Sequence, residues 1–67
     1  MKEVAIYRKT HLKVGDILPN IYHCGKKPKN GQKVHVKNFL TGKEYYGKVI
    51  YVDNSHYAVL IQRKLGR

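Results

Sequence analysis

Four histidines, one cysteine and four carboxylates are the side chains here that could do acid–base, nucleophilic or metal chemistry, and their spacing speaks against all three. Glu3, Asp16, Glu44 and Asp53 are scattered, with no carboxylate pair and no nucleophile beside a base and an orienting group. His23 and Cys24 are adjacent, as a reactive dyad would need. Neighbours in an extended chain point to opposite faces, however, and a loop histidine beside a small half-buried thiol is the commoner arrangement. Cys24 with His11, His23, His35 and His56 has neither C-x-x-C nor H-x-x-x-H spacing, so no metal site is expected. Gly25, Gly31 and Gly42 read as turn glycines, because no helix follows to make a phosphate cradle of them. The expectation is a protein without catalysis, cofactor or metal.

Lysine carries the stronger signal. Fourteen Lys and Arg oppose four acids, a formal net charge of +10 on 67 residues. A polyanion would relieve that self-repulsion and be drawn in by it. In an extended chain Lys33, His35 and Lys37 share one face, and an adjacent strand adds Tyr46 and Lys48 to it. Their separation is roughly 5 to 7 Å, about that of successive phosphates along a nucleic-acid strand. Lys43 in a turn and Lys26, Lys27 and Lys29 in a loop extend the surface. Tyr46 either stacks an unpaired base or packs across the strands on the aliphatic stem of Lys37. Each lysine taken singly also fits an ordinary solvated face. The function expected is a non-catalytic nucleic-acid-binding module, for RNA or DNA, free or within a nucleoprotein. The alternative is a small regulatory protein-interaction module, an accessory protein of the phage or mobile-element type, which docks an acidic or edge-strand surface of a larger protein.

These side chains need a scaffold, and residues 32 to 62 describe one. Three short segments rich in Val, Ile, Tyr and Phe are separated by turns at Thr41-Gly42 and at Asp53, Asn54 and Ser55, which reads as two successive β-hairpins. If Thr41 and Gly42 are the centre of a tight turn, Val36 faces Gly47 and Val34 faces Val49. That register puts Val34, Val36, Tyr45, Val49 and Tyr51 on one face and Lys33, His35, Lys37, Tyr46 and Lys48 on the other. Beyond Val49 the alternation fails, as if the strand bends to serve two packed sheets, with Gly47 as the bend or bulge. Residues 3 to 8 form a first strand. Val14, Gly15 and Asp16 turn into a short extended piece that Pro19 ends or places at an edge. Residues 23 to 32, with three lysines, two glycines and a proline, form an exposed loop. Helix is limited to one turn, near residues 19 to 23 or after Gln62, and residues 63 to 67 read as a flexible tail. Core or rim positions fall to Tyr7, Tyr22, Tyr45, Tyr51 and Tyr57, since a chain this short without Trp must find bulk elsewhere.

One domain is all that 67 residues allow: an all-β, mainly antiparallel barrel of four or five strands, monomeric. Its single cysteine permits no internal disulfide, which points to a reducing compartment, and charge interrupts the N-terminal stretch every few residues. A cytoplasmic protein with no membrane partner is expected.

Gly31, Gln32, Lys33, Val34, His35 and Val36 opening one strand, the run from Tyr46 to Val52 opening the next, and then Tyr57 to Ile61 resemble an SH3-like barrel of the KOW or Tudor kind. In such modules a Gly-x-Val step marks the bend in the strand after the first hairpin, and Gly47 and Val49 match it. The resemblance covers about half the chain and implies a small β-barrel. The tyrosines lack the acidic partners of a cage for methylated side chains. Val14-Gly15-Asp16 faintly resembles the opening of RNA-associated PUA-like and ASCH domains.

Overall fold

Valine and tyrosine alternate with lysine and histidine in residues 33 to 37 and 45 to 49, and these residues build the centre of a single sheet in the computed structural model, which describes residues 2 to 7, 11 to 23 and 26 to 66. Its strands are β1 (Lys2–Ile6), β2 (Ile17–Tyr22), β3 (Lys33–Asn38), β4 (Glu44–Val52) and β5 (His56–Leu65). They lie in the order β1-β3-β4-β5-β2, with β1 parallel to β3 and every other pair antiparallel. The sheet curls into a half-barrel, compatible with an SH3-like barrel. Among the described residues there is no helix, so none is long and apolar enough to cross a membrane. The stretch around Pro19, open to a helical turn on sequence grounds, is the edge strand β2. Residues 63 to 65, read as tail, continue β5.

Alternation decides which side chains are buried. Val34, Val36, Val49, Val59 and Ile61 are fully enclosed, and Val4, Tyr45 and Tyr57 complete the cluster. Burying each contributes about 1.5–3 kcal/mol. Tyr51 does not belong to this set: it is 56 % exposed, against the expectation of a core position. The cause is a bulge. Val49 pairs with Val59 but Tyr51 pairs with Ala58, so Ile50 is an extra residue that reverses the parity of the strand beyond it. Val52 rather than Tyr51 then packs on the core. Tyr7 and Tyr22, at the ends of the two edge strands, are also exposed, at 69 % and 65 %, rather than core or rim.

Residues 33 to 38 pair with residues 44 to 48 two residues away from the expected register. Val34 faces Gly47 and Val36 faces Tyr45, because the turn is residues 39 to 42 rather than Thr41-Gly42 alone. Asn38 sets that longer turn. Fully buried, it takes the Leu40 and Thr41 N–H groups on its Oδ1 at 2.9 and 3.3 Å, while its own N–H donates to the Lys43 carbonyl at 2.9 Å. A slip of two leaves every side chain on its expected face, since the side-chain period is two.

Gly47 stands where the sequence places a bend. Between Tyr46 and Gly47 the pairing with β5 jumps from Arg63 to Ile61, so Gln62 bulges opposite the glycine. A third irregularity lies between Leu18 and Ile21, where Asn20 takes a φ of 57°. Bulges increase twist, and three of them along β2, β4 and β5 account for the curl that brings the outer strands of the order toward each other.

Candidate nucleic-acid interface

The convex side of β3 and β4 presents the predicted face. Directly opposite each other stand Lys33 and Lys48, then His35 and Tyr46, then Lys37 and Glu44. The rows continue outward to Leu60, Arg63 and Leu65 on β5, and Glu3 on β1 sits beside His35. In such a ladder opposed side chains are about 5 Å apart. Lys33, His35, Lys37, Tyr46 and Lys48 are therefore brought together as expected. Lys43 lies at one end, in the hairpin turn. Lys29 lies at the other: the Gly31 N–H donates to the Val49 carbonyl at 2.7 Å and returns the loop to the Lys33 and Lys48 end of the ladder. Lys26 and Lys27 are exposed.

The loop from 23 to 32 is less open than its composition suggests. His23 is buried and donates from Nε2 to the Asp53 carbonyl at 2.9 Å, and Pro28 is buried as well. Cys24, the other half of the possible dyad, lies outside the described residues.

Two acids temper the face. Glu44 Oε1 lies 2.7 Å from His35 Nε2, an ion pair when the imidazole is protonated, and Glu3 is the neighbour on the far side. Lys33 and Lys48 have no acid among their ladder neighbours. Lys33 instead holds its Nζ 4.3 Å from the centroid of the Tyr46 ring, which His35 meets edge-on at 5.7 Å. The cation beside the Tyr46 ring is thus Lys33 rather than Lys37.

Sequence reasoning missed two features. Arg63 opposes Tyr46 and adds a guanidinium to the face. Strand length could have found it, because β4 needs a partner along all nine of its residues and β5 must run to residue 65 to supply one. Phe39 was assigned no role, yet its ring stacks on Tyr7 with centroids 5.2 Å apart and planes 14° from parallel, and both rings are more than half exposed. Lys37 Nζ lies 5.1 Å from the Phe39 centroid. No hydrophobic pattern announces this pair, since it joins residues at the ends of two different strands.

Elsewhere titratable groups serve the fold. Hydrogen bonds from the Ser55 and His56 N–H groups hold the Asp53 carboxyl below its usual value, and burial pushes the Tyr57 phenol up. Ser55 Oγ lies 2.7 Å from His56 Nδ1, but Asp53 accepts from the His56 backbone rather than its ring, so the three brace a turn without forming a relay. Among the described residues no group of three or more His, Cys, Asp or Glu could hold a metal ion. No protein-family model, no curated protein and no solved structure matches the chain.

Proposed function

We propose that the protein is a non-catalytic nucleic-acid-binding module whose interface is the outer face of β3 and β4, extended by Arg63 and by the Tyr7 and Phe39 rings. One observation carries this reading: Lys33 and Lys48 face each other across the ladder, with no acid directly opposite either. Like charges directly opposite destabilise a sheet, and a bridging phosphate removes the repulsion and gains two contacts. Lys37, Lys43 and Lys29 continue the charge to both ends of the hairpin. The exposed Tyr7 and Phe39 pair suits a stacked base better than Tyr46 does, because Lys33 already covers that ring. A barrel of the KOW or Tudor kind agrees with the bulged step at Gly47 and Val49. In this reading the protein acts as a cytoplasmic monomer.

Binding to a labelled oligothymidylate and to a duplex of random sequence, titrated with salt, tests the proposal. Lys33→Glu with Lys48→Glu is expected to weaken binding and to lower the slope of log K on log salt by about 1.4–1.8, at roughly 0.7–0.9 per phosphate contact. Lys13→Glu with Lys64→Glu, both exposed and off this face, is the control. Equal losses in the two double variants would reduce the interface to bulk charge, and no affinity at low salt in the parent would transfer the reading to a protein partner.

A further inference from the structure

β1 and β2 end the strand order, and the curl of the sheet leaves a cavity of about 580 Å³ between them. Residues 4 to 7 line one side and residues 16 to 21 the other, together with Leu12. Because consecutive residues line both sides, the walls are strand edges, backbone included, rather than the faces of strands. Of the five side chains that pack against the core while only partly buried, Ile6, Leu12, Leu18 and Ile21 lie here.

The two edges differ in what their backbones can offer. The Ile6 carbonyl accepts from the Phe39 N–H at 2.9 Å, so Ile6, and Val4 two residues before it, turn their polar backbone groups toward β3. Glu3 and Ala5 turn theirs the other way, to the free edge. On β2, Pro19 has no N–H to give, and the bulge at Asn20 interrupts any regular ladder. β2 is thus a blunted edge and β1 an open one.

We infer that this seam accepts an extended segment of an acidic partner protein as a sixth strand, paired to the free edge of β1. Size alone would admit a small apolar molecule, since ligand sites run from roughly 300 to 1,000 Å³. Such a molecule would bury the N–H and C=O groups of Glu3 and Ala5 without partners, whereas a strand satisfies them and sets alternate apolar side chains on Ile6, Leu12, Leu18 and Ile21. The net charge of +10 draws an acidic segment to the molecule, and its outward acids fit beside Ala5, whose ladder neighbour is Lys37, rather than beside Glu3. The seam shares Tyr7 with the proposed nucleic-acid interface but none of its lysines, so its failure and the failure of nucleic-acid binding are distinguishable.

The probe is a fluorescent nonapeptide alternating Val and Glu, measured by anisotropy in low salt with the full chain. Two further peptides carry N-methyl groups on one or the other set of alternate backbone amides. The parent is expected to bind the unmodified peptide; methylation of one set should weaken binding at least tenfold, and methylation of the other should leave it within twofold. Ala5→Pro removes an N–H that no strand among the described residues uses, so the fold should persist while peptide affinity falls at least tenfold and oligothymidylate affinity stays within twofold. Should that variant unfold, the methylated peptides decide by themselves. No binding by the parent, or equal losses from both methylated peptides, overturns the inference. A concentration-dependent dimer of the parent that excludes the peptide and is lost in Ala5→Pro also overturns it, by assigning the seam to a second copy.

Discussion

The lysine face and the seam belong to one sheet, yet they offer a ligand opposite halves of the chain. On the outer face of β3 and β4 the backbone is consumed by pairing on both sides, and only side chains such as Lys33, Lys48 and Arg63 are free to act. At the seam the side chains are mostly aliphatic, and the unspent groups are the N–H and C=O of Glu3 and Ala5 on β1. A central strand therefore recognises through its residue types, and an edge strand through its lack of a neighbour. It follows that charge reversal should disable one surface and backbone substitution the other, while a change that uncurls the sheet should disable both.

Gly47 is the place to make that last change. A Cβ built there would lie against Val59 Cγ1 and 2.8 Å from the Leu60 carbonyl oxygen. Val59 is fully buried and the Leu60 carbonyl is backbone, so neither yields. Gly47→Ala is expected to cost about 1–3 kcal/mol, and Gly47→Val more. A chain of 67 residues has roughly 3–10 kcal/mol in total at the usual per-residue stability, so the valine variant should be largely unfolded or much lower in Tm. Denaturation followed by circular dichroism measures this. A Gly47→Val protein as stable as the parent would mean that the crossing with β5 is looser than described, and the curl that separates face from seam would lose its cause.

A smaller effect is expected at the ring pair where the surfaces meet. Tyr7 stacks on Phe39 and also lines the seam. Phe39→Ala should weaken binding of single-stranded oligothymidylate by about 1–3 kcal/mol, with less effect on duplex, where no base face is open to stacking. Tyr46→Ala should cost less, because its ring is half-buried between Lys33 and His35. If Tyr46→Ala weakens binding more than Phe39→Ala does, bases stack at the centre of the lysine face and Lys33 moves aside to admit them.

The contrast between the two surfaces also marks what could be read in advance. The members of the lysine face were legible because period-two alternation in residues 33 to 49 survives an error of two in register, which is the error that Asn38 causes by capping a four-residue turn. Gly47 was legible for a similar reason, as a glycine inside an otherwise branched and aromatic strand. Tyr51 was not, because the apolar run past Val49 marks a loss of alternation without showing that Ile50 is the extra residue, which inverts everything beyond it. The seam was less visible still. It depends on β1 pairing in parallel with β3 rather than with its neighbour in sequence, and on which two edges the curl brings together.

The smallest effect is expected at Asp53, which braces the side of the sheet remote from the lysine hairpin turn. Its Oδ1 accepts the Ser55 and His56 N–H groups at 2.9 and 2.7 Å, and its carbonyl accepts from the His23 ring. The N–H bonds favour the carboxylate, so the folded pKa lies below the unfolded one. A group depressed on folding adds stability above its unfolded pKa, about 3.9 for aspartate, and that contribution disappears as pH falls through the lower, folded value. Asp53→Ala should therefore lower Tm slightly at pH 5 to 7, and the gap to the parent should close as pH drops below about 4. Melting curves from pH 2 to 7 check this, and a gap that stays constant through the acid range would show that the carboxylate is not what holds the turn. The salt slope for oligothymidylate at pH 7 should match the parent's, since Asp53 lies off the ladder positions that carry the lysine face; a changed slope would mean that the two sides of the sheet are not independent.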